Sequence, residues 1–184
     1  CIRDSSNEYT SDYLVKNDNG SANVNLSNGT DLAGNLVLSN PNSGSVFYTD
    51  SVNPRCSITY SSSKSQPFQK NDLVKIIVTF DEDISTSINP QISILRPDEK
   101  ISLRYKINRI SSKQYEYDYT VQSGSGDFKV FIYNAFDFAN NEVINKPISG
   151  ATFNVDNIPP EAKITYFKNG TETKNRYFQK GDTI

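Results

Sequence analysis

The chain has no histidine, no tryptophan and no methionine among its 184 residues, and only two cysteines. Without histidine it lacks the side chain that most often serves as a general base near neutral pH and the one that most often ligates zinc, so catalysis is an unexpected occupation for it. Two cysteines cannot staple a chain of this length into a disulfide framework. Charge of one sign is also missing: 19 Lys+Arg stand against 21 Asp+Glu, net −2, with no long run of either. That removes the basic footprint of a nucleic-acid binder, and the sequence holds no apolar run of membrane length.

What is present is an echo. Ala22 to Tyr60 and Phe128 to Tyr166 align at an offset of 106 residues without a gap. Asp31, Ala33, Asn35, Val37, Pro41, Gly44 and Asp50 meet the same residue types at Asp137, Ala139, Asn141, Val143, Pro147, Gly150 and Asp156. Upstream, Tyr9, Asp12, Tyr13 and Val15 meet Tyr115, Asp118, Tyr119 and Val121; downstream, PFQKND from Pro67 meets YFQKGD from Tyr177 after a four-residue insertion. A period of about a hundred residues is one small domain, so the reading is a tandem array. It predicts the C-terminal part of a first unit over 1–54, a complete unit over 55–156 and the start of a third over 157–184, cut from something longer. Cys56 and Cys1 match Ala162 and Ile107, so neither recurs. Both read as small core hydrophobes, with a lipid-modified or disulfide-linked Cys1 as the alternative.

Local pattern predicts strands throughout. Segments 8–15, 23–28 and 45–49 are separated by Asn, Gly and Pro punctuation. In the complete unit Val74, Ile76, Val78 and Phe80 share one face, as do Ile101, Leu103, Tyr105 and Ile107, and Tyr115, Tyr117 and Tyr119. Strict alternation of this kind marks half-buried antiparallel sheet. With 56–60, 91–95, 128–134 and 151–155 added, seven strands fill the unit and no stretch has useful helical spacing. The expected fold is all-β, an Ig-like β-sandwich. Asn71 and its counterpart Gly181 are expected at φ > 0 ahead of a strand. Pro54, matched by Pro159 and Pro160, stiffens the connections between units.

The motifs Lys70-Asn71-Asp72, Thr79-Phe80-Asp81-Glu82, Asp137-Phe-Ala-Asn-Asn141 and Phe153-Asn-Val-Asp156 through Pro160 carry a resemblance. Together they resemble the tandem bacterial Ig-like repeats of large adhesins and other surface proteins of bacteria and archaea. Asn140 departs from the glycine usual at its place, which Gly34 keeps. The resemblance implies an extracellular, cell-surface location in a stalk or fibre, with neighbouring repeats or other copies of the protein as partners. The abundance of Asn, Ser and Thr fits secretion, and Asn19, Asn25, Asn28 and Asn169 head glycosylation sequons.

Three readings of function differ in class. The first is a structural segment of an extracellular stalk, filament or surface layer. The second is a binding module whose loops 81–90 and 135–150 grip a cell-surface glycan or protein; the third is a non-catalytic spacer in a secreted enzyme. Tyr115, Tyr117 and Tyr119 are expected in the core rather than as a carbohydrate platform, and outward Phe131 and Tyr133 as a contact patch. The acid pairs Asp81-Glu82-Asp83 and Asp98-Glu99 read as solvated or metal-binding rather than catalytic. Strand parity places Asp50, Asp81, Glu82, Asp83 and Asp137 at one pole of the complete unit, where calcium would accept their carboxylates and fix two units at a set angle. A solvated acidic rim, with Asp137 capping its own turn, is the other reading.

Overall fold

The computed structural model describes residues 2–3, 8–16, 19–174 and 176–184, with the backbone alone at 2–3. Among them there is no helix. In chain order the strands are β1 (Ile2–Arg3), β2 (Tyr9–Thr10), β3 (Gly20–Asn23), β4 (Val46–Thr49), β5 (Cys56–Ser61), β6 (Leu73–Phe80) and β7 (Gln91–Leu95). They continue as β8 (Arg104–Lys106), β9 (Asn108–Arg109), β10 (Gln114–Thr120), β11 (Gly126–Tyr133), β12 (Thr152–Val155), β13 (Tyr166–Lys168) and β14 (Thr171–Thr173).

Two four-stranded antiparallel sheets, ordered β5-β6-β10-β9 and β12-β11-β7-β8, form a sandwich-like body. Their period-2 faces make one core: Val74, Ile76, Val78 and Phe80 of the first sheet and Phe128, Val130 and Ile132 of the second are each buried. Phe153 is the hinge of the packing, with its ring 5.1 Å from Tyr60, 5.3 Å from Phe128 and 6.0 Å from both Phe68 and Tyr119. Removing a buried aromatic of this kind costs about 3–5 kcal/mol. Every buried hydrophobic residue among those described lies between Cys56 and Val155, whereas Tyr9, Tyr13, Val24 and Leu26 stay in contact with solvent.

Geometry recurs at the offset of 106 residues. Gly20↔Thr49 through Asn23↔Val46 in β3 and β4 have the same register as Gly126↔Val155 through Lys129↔Thr152 in β11 and β12. The left-handed positions recur too: Asn28 (φ 60°) with Asn134 (55°), Gly34 (87°) with Asn140 (69°), and Gly44 (68°) with Gly150 (66°). After the insertion, Asn71 (74°) matches Gly181 (96°), and in both copies the Asp that follows accepts from the N–H of the upstream Gln at 2.7 and 2.8 Å. These are positions where only Gly, or a short polar residue, is comfortable.

Several strand expectations need correction. Segment 8–15 is a strand only at Tyr9–Thr10. The expected strand over 101–107 is broken: 104–106 pairs with β7, then the chain crosses to β10 as β9. Ile107 at the crossing is buried as expected, yet Ile101 and Leu103 are 86% and 72% exposed, because the segment that carries them joins neither sheet. Tyr115 is buried, while Tyr117 and Tyr119 only lean on the core. Phe131 and Tyr133 are half-buried, and the Arg104 guanidinium covers Tyr133 at 3.7 Å from the ring centre, a cation–π contact. Cys56 is a free, buried thiol. Cys1 lies outside the described residues.

Candidate metal centre

Three chain segments converge at one pole of the sandwich. Asp50 follows β4, Glu82 follows β6, and Asp137 sits in the turn that follows β11. Hydrogen bonds tie these segments: Arg55 N–H donates to Asp81 Oδ1 at 2.8 Å, Asp81 N–H to Arg55 O at 3.0 Å, and Ser85 N–H to Phe136 O at 2.8 Å.

The turn at 137–141 is built by its own ends. Asn141 donates its main-chain N–H to Asp137 Oδ1 at 2.8 Å and its side-chain amide to Asp137 Oδ2 at 2.7 Å, while Asn140 takes the left-handed conformation. An aspartate that accepts from the backbone ahead of it replaces the bonds a longer strand pairing would have made. The same turn forms at 31–35, where Asp31 Oδ1 accepts from Ala33 N–H at 2.9 Å and Asn35 N–H at 2.8 Å, and Oδ2 accepts from the Asn35 amide at 2.7 Å. Those donors hold the Asp31 carboxyl below its usual range. The turn-capping role foreseen for Asp137 is therefore present, and it coexists with a second relation.

Asp137, only 3% exposed, lies with Asp50 and Glu82 so that one carboxylate oxygen of each falls within 4.8 Å of the others. Three oxygens at that limit lie about 2.8 Å from their common centre and calcium takes oxygens at about 2.3–2.6 Å, so a small closing of the three lets a single cation touch them all. Tyr48, Thr49, Asp83 and Phe138 complete an open recess of about 340 Å³ around them. Burial, followed by the negative charges of Asp137, Asp50 and Asp81, pushes the Glu82 carboxyl up; Lys113 alone opposes. Burial and negative neighbours both disfavour the charged form of a carboxyl.

Of the five residues read from the sequence, the fold thus gathers Asp50, Glu82 and Asp137. Asp81 stands apart because its carboxylate caps Arg55 N–H, and Asp83 lines the recess outside the group of three. The pair Asp98-Glu99 lies elsewhere, with Glu99 ion-paired to Arg96. Sequence reasoning missed Asn141 as a junction residue: its amide also donates to the main-chain carbonyl of Asp50 at 3.1 Å, and Asn53 answers with a 2.7 Å bond to Glu142 O. The signal available was the match of Asn35 with Asn141 in the echo.

No family model, curated protein or solved structure matches this chain.

Proposed function

We propose that this chain is a run of tandem Ig-like units serving as a structural segment of an extracellular stalk, filament or surface-layer protein of the adhesin kind, with calcium bridging successive units. One observation carries the reading. The same turn, register and left-handed positions stand 106 residues apart, and the residue that ends the earlier set, Asp50, arrives at the acidic pole of the body that carries the later set. Function then lies in spacing: each unit presents its pole to the last strand of its predecessor, and a short Pro54-containing connection leaves little slack. The partners on this reading are neighbouring units and other copies of the protein.

Calcium suits the pole because its ligands there are mixed carboxylates from three separate segments, a set that a flexible, high-coordination oxygen site accepts. The test is the thermal midpoint and the small-angle scattering dimensions of the chain with calcium and with chelator, repeated for Asp50→Ala. Calcium should raise the midpoint and narrow the spread of dimensions in the parent chain and do neither in the variant. Equal behaviour in calcium and chelator would sink the bridging role.

A further inference from the structure

One sheet edge of the body is only half covered. β10 pairs with β6 along its whole length, Gln114↔Thr79 to Thr120↔Leu73, but on its other side it meets β9 at Tyr115↔Arg109 and Glu116↔Asn108 alone. Val121 exchanges bonds with Asp72 and Asn71 on the β6 side, whereas Gln114 O accepts from Ile110 N–H on the β9 side. Main-chain groups alternate sides along a strand, so those of Asp118 and Thr120 point away from β6. Among the described residues no strand lies beside them, and only Thr120 O is used, by the Gln122 amide at 2.9 Å.

The vacancy has a cause. Continuing the register of β9 would set Lys106 opposite Asp118, but the chain turns at Ile107 and spends 104–106 on β7 instead. The track it leaves opens into a groove of about 570 Å³ between the sheets. Ile94, Tyr117 and Tyr119 line it from within, and the exposed Ile101 and Leu103 form its outer lip. Elsewhere the body closes its edges by laying extended chain along them. Ile58 N–H donates to Ser149 O at 3.0 Å beside β5, and Phe68 N–H donates to Asn154 O at 2.9 Å beside β12.

We infer that the half-edge Asp118–Thr120 and its groove take an extended segment of a partner polypeptide, added as a strand antiparallel to β10, in which an apolar residue is followed by a basic one. The main chain supplies the pairing and the pattern supplies the selectivity. The side chain opposite Tyr119 would enter the groove above Ile94 and Leu103, and the added strand would end where Ile107 and Asn108 take over the edge. The residue that follows it would exchange both main-chain bonds with Asp118 and present its own side chain outward. There Lys75 already serves two carboxylates, Glu116 at 2.8 Å and Asp118 at 3.1 Å, so the surface carries surplus negative charge and a lysine or arginine opposite Asp118 is matched.

The probe is the peptide acetyl-Thr-Val-Lys-amide, which sets Thr, Val and Lys opposite Thr120, Tyr119 and Asp118, titrated into the full ¹⁵N-labelled chain. The amides of Asp118 and Thr120 and the groove residues Ile101 and Leu103 should shift together and saturably. Methylating the peptide's lysine nitrogen should weaken binding about tenfold or more, because one donor is lost and Asp118 O is left unpaired. Asp118→Lys should weaken the lysine peptide about tenfold and favour its Thr-Val-Glu counterpart, with unchanged shifts in β5 and β11 showing that the fold is kept. The inference is overturned if those amides do not move, if the N-methylated peptide binds as well as the parent, or if maltotriose saturates the groove while the peptide does not. It is also overturned if the same amides broaden with protein concentration alone, which would make a second copy the occupant.

Discussion

The side-chain amide of Asn141 bridges Asp137 Oδ2 at 2.7 Å and the main-chain carbonyl of Asp50 at 3.1 Å. One side chain therefore completes a turn inside the sandwich and holds the strand that arrives from outside it. Asn141→Ala should cost about 1–3 kcal/mol of stability by leaving partly buried acceptors unsatisfied. It should also loosen the Asp50 segment, read as faster amide hydrogen exchange at Ser51 and Val52. Asn35→Ala removes the same turn bonds without any partner at Asp50, so exchange at Ser51 and Val52 should not change there. Equal exchange in both variants would confine Asn141 to its own turn.

Glu82 sets a pH dependence whose sign is fixed by its surroundings. Burial and then Asp137, Asp50 and Asp81 raise its folded pKa above the ordinary 4.5. Where the native state holds the proton more tightly than the unfolded chain, stability is greatest at low pH and falls as pH rises from the unfolded value through the folded one. In chelator, Glu82→Gln should therefore raise the thermal midpoint at pH 7 and flatten its decline above pH 4.5, measured by circular dichroism. In calcium the order should invert, because the variant loses a charged ligand. A variant less stable than the parent in chelator would mean that the three carboxylates do not repel one another.

How much of this was legible beforehand depends on which force decides each element. Left-handed positions such as Asn71 and Asn140 were legible because few residues tolerate that conformation and the echo showed which ones exchange. The gathering of Asp50, Glu82 and Asp137 was legible in outline, because strand parity alone decides which loops share a pole. Its membership was not: adjacent Asp81 and Glu82 differ in role because a particular amide, Arg55 N–H, claims the first. Segment 101–107 misled for a related reason. Its alternation is as clean as that of β6, but the pattern does not record that the chain changes sheets at Ile107, which strands Ile101 and Leu103 in solvent.

Cys56 gives a chemical check on the core. Burial, with the charge of Asp81 second, pushes its thiol up to about 12, so thiolate is scarce at ordinary pH and the sulfur is screened besides. Reactivity follows the thiolate and its exposure. Iodoacetamide at pH 8 should leave the Cys56 peptide unmodified in the native chain and label it fully in denaturant, as read by mass spectrometry. Rapid native labelling would place Cys56 outside the packed sheets.

Gly150 joins the two sheets where no other residue fits. It takes φ +66°, and a Cβ there would lie 2.0 Å from the main-chain oxygen of Ile58, which is backbone and cannot swing aside. The approach is held from both flanks: Ile58 N–H donates to Ser149 O at 3.0 Å, and the Tyr60 hydroxyl donates to Gly150 O at 2.5 Å. Gly150→Ala must therefore separate β5 from the loop that covers its edge, in addition to straining a left-handed backbone, and should cost about 3 kcal/mol or more in urea unfolding. Gly150→Asn tests which term dominates, since asparagine tolerates the left-handed conformation but keeps the Cβ; it should rescue no more than about 1 kcal/mol of the loss. Gly44, at φ +68°, has open space where a Cβ would stand, so Gly44→Ala meets the left-handed strain alone and should cost clearly less than Gly150→Ala. If Gly150→Ala and Gly44→Ala proved equally mild, the close approach of residues 149–150 to β5 would have to be wrong, and with it the covering of that sheet edge.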